Sequence, residues 1–101
     1  GPAISPCHYE VGDELKIAFK KSISSKKLWS EVETCFAESS TEGKFFLDLN
    51  KTAGAILNHL GVSNIYGNDD CTFRDSEKYF SYRRDGETGR MVSAIFIDPK
   101  V

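Results

Sequence analysis

Between Glu10 and Lys21 the apolar residues Val11, Leu15, Ala18 and Phe19 recur at helical intervals. Acids (Glu10, Asp13, Glu14) come early and Lys20 and Lys21 late, the order a helix dipole favours. The spacing predicts a helix over 10–21. Leu28, Trp29, Val32, Cys35 and Phe36 then fall at i, i+1, i+4, i+7 and i+8, which predicts a short amphipathic helix. A Ser/Lys-rich loop precedes it and a second loop, Glu38 to Gly43, follows. Such a helix serves either as a core contact or as a lid or partner-binding face. The sharpest helical signal comes next: Asp48 suits an N-cap, Leu49, Ala53, Ile56, Leu57 and Leu60 mark one face, and Gly61 supplies a left-handed stop with Val62 beside it.

Beyond Gly61 the rhythm changes to that of strands. Residues 62–66, 79–83 and 91–97 are rich in β-formers, and Asp85-Gly86 with Gly89 between the last two predicts a hairpin with a longer loop. The run Ala94-Ile95-Phe96-Ile97 is apolar on both faces and needs cover on both sides. Gly1 to Pro6 reads as irregular or as a short edge strand, because its two prolines lack a backbone donor. The sum is one α+β domain over 1–101, with helices packed on a mixed sheet that ends in a C-terminal hairpin.

Composition narrows the function classes. A chain of 101 residues, 40% hydrophobic and 28% charged, supports one modest core. Folding removes only roughly two-thirds of the surface of so short a chain from water, which leaves little room for a large enclosed active site. Thirteen basic against fifteen acidic residues give a net charge of −2, too little positive charge for nucleic-acid binding. No stretch approaches the ~18 apolar residues of a membrane span, and no leader pattern opens the sequence, so either a cytoplasmic protein without membrane contact or a fragment is expected. Cys7, Cys35 and Cys71 are odd in number and widely spaced, which predicts reduced thiols.

The densest polar cluster is Ser81-Tyr-Arg-Arg-Asp-Gly-Glu-Thr-Gly-Arg90. Planar guanidinium forks at Arg83, Arg84 and Arg90, beside Tyr82, are well shaped to clamp phosphate or carboxylate oxygens. The competing reading is that these arginines pair with Asp85, Glu87 or other carboxylates and pin a turn. Neighbours on an extended chain point to opposite faces, so Cys7-His8 makes a poor dyad; a Cys71–His8 pair assembled by folding stays open. His59 suits a helix C-terminus. No metal site is predicted from two histidines and three scattered cysteines. Asn68-Asp69-Asp70 lacks a calcium-loop pattern and reads as a solvated turn. Glu10, beside Tyr9, is either a cleft acid or base or a helix-start carboxylate.

Three segments carry a family resemblance: Gly1-Pro-Ala-Ile-Ser-Pro-Cys-His-Tyr-Glu-Val-Gly12, Asn64-Ile-Tyr-Gly-Asn-Asp-Asp-Cys-Thr72, and Tyr79-Phe-Ser-Tyr-Arg-Arg-Asp-Gly-Glu-Thr-Gly-Arg-Met-Val-Ser-Ala-Ile-Phe96. Together they resemble the C-terminal part of the YfiH-type laccase-domain family. The resemblance implies an α/β sandwich of the cytotoxic necrotizing factor type. It also implies a parent enzyme, described first as a polyphenol oxidase or laccase with copper. Later descriptions make it a zinc-dependent purine nucleoside phosphorylase that also cleaves methylthioadenosine and deaminates adenosine.

The family's metal is held by a His, a Cys in an Asp-Cys segment and a His in a His-x-Gly-Trp segment, all upstream of the opening motif and none present here. The resemblance therefore implies a chain without its own cofactor, inert alone, whose partners are the missing N-terminal part, purine nucleoside and phosphate. Tyr82, Arg83, Arg84 and Arg90 are its candidate substrate- or phosphate-binding residues. Cys71 matches a Cys-Thr segment expected to hold a buried packing thiol. The alternative is a non-enzymatic module that uses the Arg-rich hairpin to bind an anion or a protein partner.

Overall fold

The acid-to-base order near the N-terminus does make a helix, α1 (Asp13–Ser22), but the three residues before it form a strand, β1 (Glu10–Gly12). Val11 is buried and pairs with Phe45, so its apolar side chain serves a sheet and not the helix face assigned to it. The computed structural model describes residues 1–67 and 69–99. After α1 come α2 (Lys26–Glu33), β2 (Phe36–Glu38), β3 (Lys44–Leu47), α3 (Leu49–His59) and a single turn, α4 (Tyr82–Asp85). A 3-10 turn at Pro6–His8 precedes β1.

The predicted second helix is α2, capped by the Ser25 hydroxyl, which accepts from the Leu28 amide at 3.1 Å. It stops before Phe36, whose ring belongs to β2. The sheet has the order β1-β3-β2 and is antiparallel throughout. Among the described residues, the predicted mixed character survives as an isolated parallel bridge between Ala3 and Cys71. Strand β3 escaped prediction because Phe45-Phe46-Leu47 lies between a loop and a helix cap and is too short to show a period of two.

The core joins Val11, Leu28, Val32, Cys35, Phe36 and Leu47, and Phe19, Trp29, Phe45, Leu49 and Ile56 pack against it. Phe36 meets both Phe19 and Phe45 edge-on, at centroid distances of 5.8 and 6.2 Å. Helix α3 starts where the sequence places it: the Asp48 carboxylate accepts from the Lys51 amide at 3.0 Å. It ends in a Schellman arrangement, with Gly61 N–H on the Asn58 carbonyl, Val62 N–H on the Leu57 carbonyl and Gly61 at φ +96°. Its buried face is turned from the one predicted. Leu49, Thr52, Ala55 and Ile56 point inward, whereas Leu57 and Leu60 are exposed.

The later strands are the main correction. Residues 62–66 form no strand, 79–83 lead into α4, and 91–97 pair with nothing regular among the described residues, so the C-terminal hairpin is absent. The physical reason lies in cover: Val92, Ile95, Phe96 and Ile97 are each more than 80% exposed, so no apolar layer lies on either face. A sequence that demands burial on both sides finds none within these residues. The α+β class holds, built on helices and an antiparallel sheet.

Candidate functional site

Helix α4 distributes its polar side chains. Buried Ser81 caps it, its hydroxyl accepting from the Arg84 amide at 3.3 Å, and Gly86 ends it. Arg84 points inward. Its Nη1 donates to the carbonyls of Thr72 and Phe73 at 2.8 and 3.0 Å, and its Nη2 to that of Tyr79 at 3.0 Å. Nε and Nη2 also hold the Asp85 carboxylate at 2.9 and 2.7 Å. These hydrogen bonds keep the Asp85 carboxyl below its ordinary range, against an opposing effect of burial. Arg84 thus takes the pinning role that the sequence left open, mostly through backbone carbonyls that no charge count reveals.

Arg83 turns the other way, toward the N-terminal motif. Its Nη1 donates to the Glu10 carbonyl at 3.0 Å and its guanidinium lies 4.9 Å from the centre of the Tyr9 ring. The Glu10 carboxylate accepts from Ser39, which places it in a strand-to-loop tie and not at a helix start. Tyr82 is 79% exposed. With Arg90 it borders an open cleft of about 470 Å³, together with Phe80, Glu87, Thr88 and Met91. The Phe80 ring packs over Gly89: a Cβ there would stand 2.7 Å from the tip of that half-exposed ring, which would have to shift. Of the four candidates, the structure brings Tyr82 and Arg90 to one cleft, lays Arg83 on Tyr9 and commits Arg84 to the scaffold.

A second polar cluster surrounds Cys71. Its sulfur accepts from the Ser5 hydroxyl at 3.0 Å, the Ser5 amide at 3.2 Å and the Arg74 amide at 3.4 Å. Burial pushes the Cys71 thiol up, but these hydrogen bonds, with one from the Phe73 amide, outweigh it and bring the pKa down to about 7. The Cys71 amide in turn donates to Asp75 at 2.7 Å. Hydrogen bonding to Arg74 is the main cause that holds the Asp75 carboxyl below its usual range. His8 stacks on Phe73 at 4.5 Å, so Cys71 takes Ser5 and not His8 as its side-chain partner. Sequence reading missed Ser5 because nothing at position 5 signals a contact 66 residues away.

The acidic turn is tied down as well. Tyr79 donates its hydroxyl to Asp70 at 2.5 Å, which raises the phenol's pKa, and Arg74 donates to the Asp69 carbonyl at 2.7 Å. Asn68 lies outside the described residues. Among the described residues no group of three or more His, Cys, Asp or Glu side chains is placed to hold a metal ion.

Residues 1–98 match the family model described as multi-copper polyphenol oxidoreductase laccase. The chain belongs to this family. Among curated relatives, the purine nucleoside phosphorylase of Haemophilus influenzae is 40% identical over 98 residues, 97% of this chain and 38% of that protein. Purine nucleoside phosphorylase YfiH of Escherichia coli is 38% identical over 97 residues, covering 96% of this chain and 37% of its own length. A solved structure, Neisseria meningitidis protein NMB0706, aligns with a TM-score of 0.75 at 42% identity, covering 88% of this chain and 34% of the other. The chain therefore spans little more than a third of the length of the proteins it matches. No helix among its described residues is long and apolar enough to cross a membrane.

Proposed function

We propose that this chain is the C-terminal part of a purine nucleoside phosphorylase and that it contributes the wall that grips phosphate and nucleoside. The observation that carries this reading is the Tyr82–Arg90 cleft: it is open to solvent and lies within the motif-bearing segment 79–96. Its chemistry suits the substrates. A guanidinium holds an oxyanion through paired donors, and phosphorolysis has to orient an attacking phosphate oxygen. Phe80 and Tyr82 offer aromatic surface to a purine, and the Glu87 carboxylate accepts hydrogen bonds from sugar hydroxyls.

The roles divide accordingly. Arg90 positions phosphate, Tyr82 lies against the nucleoside, Arg83 supports the N-terminal edge of the site, and Arg84 holds the loop from which the others project. Zinc, which the family resemblance places on upstream ligands, would be held outside this chain. Adenosine, inosine and methylthioadenosine all present a purine and a sugar to such a wall, so the cleft accepts the class without choosing among its members.

The test is phosphate-dependent release of purine base from inosine by the chain joined to the upstream part of its parent. Arg90→Ala is expected to raise the KM for phosphate roughly tenfold or more, the loss of a charge-assisted contact, with little change in thermal stability. An unchanged KM for phosphate would remove Arg90 from the site.

A further inference from the structure

The laccase-family reading does not use the cysteines, yet two of them meet. The Ser5 hydroxyl oxygen lies 3.0 Å from Cys71 Sγ and 3.4 Å from Cys7 Sγ, so the two sulfurs flank a single atom. The Arg74 guanidinium also feels both of them electrostatically. Their environments differ. Cys7 is exposed on the 3-10 turn, whereas Cys71 is wholly buried and ringed by donors. Cys35, the third thiol, sits in the main core with its sulfur on the Glu31 carbonyl at 3.7 Å and takes no part.

We propose that Cys7 and Cys71 form a peroxide-responsive pair, in which exposed Cys7 is oxidised and buried Cys71 resolves it as an intramolecular disulfide. The Cys7 thiolate attacks the distal oxygen of a hydroperoxide, the O–O bond breaks, and the departing alkoxide or hydroxide takes a proton. Cys7 is left as a sulfenic acid. Cys71 sulfur then attacks the Cys7 sulfur: an S–S bond forms, the S–O bond breaks, and hydroxide leaves to be protonated to water. Two thiols lose two electrons and the hydroperoxide gains them.

The arrangement suits this order of events. The sulfur that must meet a dissolved oxidant is at the surface, and the one that needs only to meet another sulfur is not. Hydrogen bonds to Cys71 favour its thiolate, the form that attacks. Cys7 lies on a short exposed turn and both sulfurs already touch the Ser5 hydroxyl, so the second step requires the Cys7 side chain to rotate past that hydroxyl. The product would staple the opening motif to the segment 71–75, which the Ala3–Cys71 bridge already brings side by side.

The experiment treats the full chain with hydrogen peroxide at a small molar excess, blocks residual thiols by alkylation, and maps peptides without reduction. The expected result is a single Cys7–Cys71 cross-linked peptide, with Cys35 alkylated after unfolding, and faster migration on a non-reducing gel. Cys7→Ser should leave Cys71 reduced and alkylatable under the same treatment, and Ser5→Ala should slow cross-linking severalfold. A cross-link through Cys35, or Cys7 advancing to sulfinic acid while Cys71 stays a free thiol in the unmodified chain, would overturn the proposal. Because the peptide map of the unmodified chain decides it, a variant that fails to fold leaves the test intact.

Discussion

Arg84 and Arg90 are the same side chain put to opposite uses. Arg84 has its donors on three backbone carbonyls and a carboxylate. A compact ammonium cannot reproduce that fork. Arg84→Ala and Arg84→Lys are therefore both expected to lower the unfolding temperature by several degrees, and Arg90→Ala is not; calorimetry on the three variants checks this. The carboxylates add a pH dependence with a definite sign. Asp85 and Asp75 are both held below their ordinary values, chiefly by hydrogen bonds to Arg84 and Arg74. Their stabilising effect is complete well above about pH 4, the unfolded value, and fades as the pH falls through their lower folded values. Denaturant midpoints should accordingly fall as the pH drops below about 4, and Asp85→Asn should blunt that fall. Arginine-rich composition was legible in the sequence at 83, 84 and 90. Which arginine faces the cleft was not, because the choice depends on carbonyls at 72, 73 and 79 whose position only the folded chain fixes.

At the scale of elements, local chemistry was readable and register was not. Asp48 and Gly61 bracket α3 as their side-chain acceptor and backbone freedom require. The inward face turned to Thr52 and Ala55 because α2 packs there, and a helix with apolar residues on several sides does not announce which of them a neighbour will cover. Strand β1 was hidden inside a helical pattern, since three residues are too few to set a period against the ten that follow. Leu47, fully buried where β3 meets the helices, should be the costlier position to truncate. Leu47→Ala is expected to lose about 2–5 kcal/mol by chemical denaturation. Ile95→Ser, at a residue 98% exposed, should cost nothing measurable and improve solubility.

At the scale of the molecule, the radius of gyration of 15.3 Å exceeds the roughly 13 Å of a compact domain of this length. The principal extents, 51 × 39 × 20 Å, describe a slab. Much apolar surface lies on its second half: Leu60, Tyr66, Val92, Ile95, Phe96 and Ile97 are all more than 70% exposed. A second depression of about 800 Å³ lies between Gly1-Pro2, the outer face of α3 and Ile65-Tyr66. The two-sided demand of the last apolar run was legible in the sequence; what meets it was not, since this chain matches only 34–38% of its relatives' lengths. The account expects the upstream part of the parent to supply that cover. Hydrogen exchange should show the 91–97 amides fast in this chain alone and strongly protected once the upstream part is joined. Equal exchange in both would mean that the apolar run is not completed in this way.

Whether these residues grip the substrates of a phosphorolytic reaction, as proposed, is decided by one assay. Base release from inosine with and without phosphate is measured for the chain alone and for the chain joined to its upstream part with zinc supplied. No turnover is expected from the chain alone, and phosphate-dependent turnover from the joined protein. Turnover by the isolated chain, or none by a folded, zinc-loaded joined protein, would contradict it.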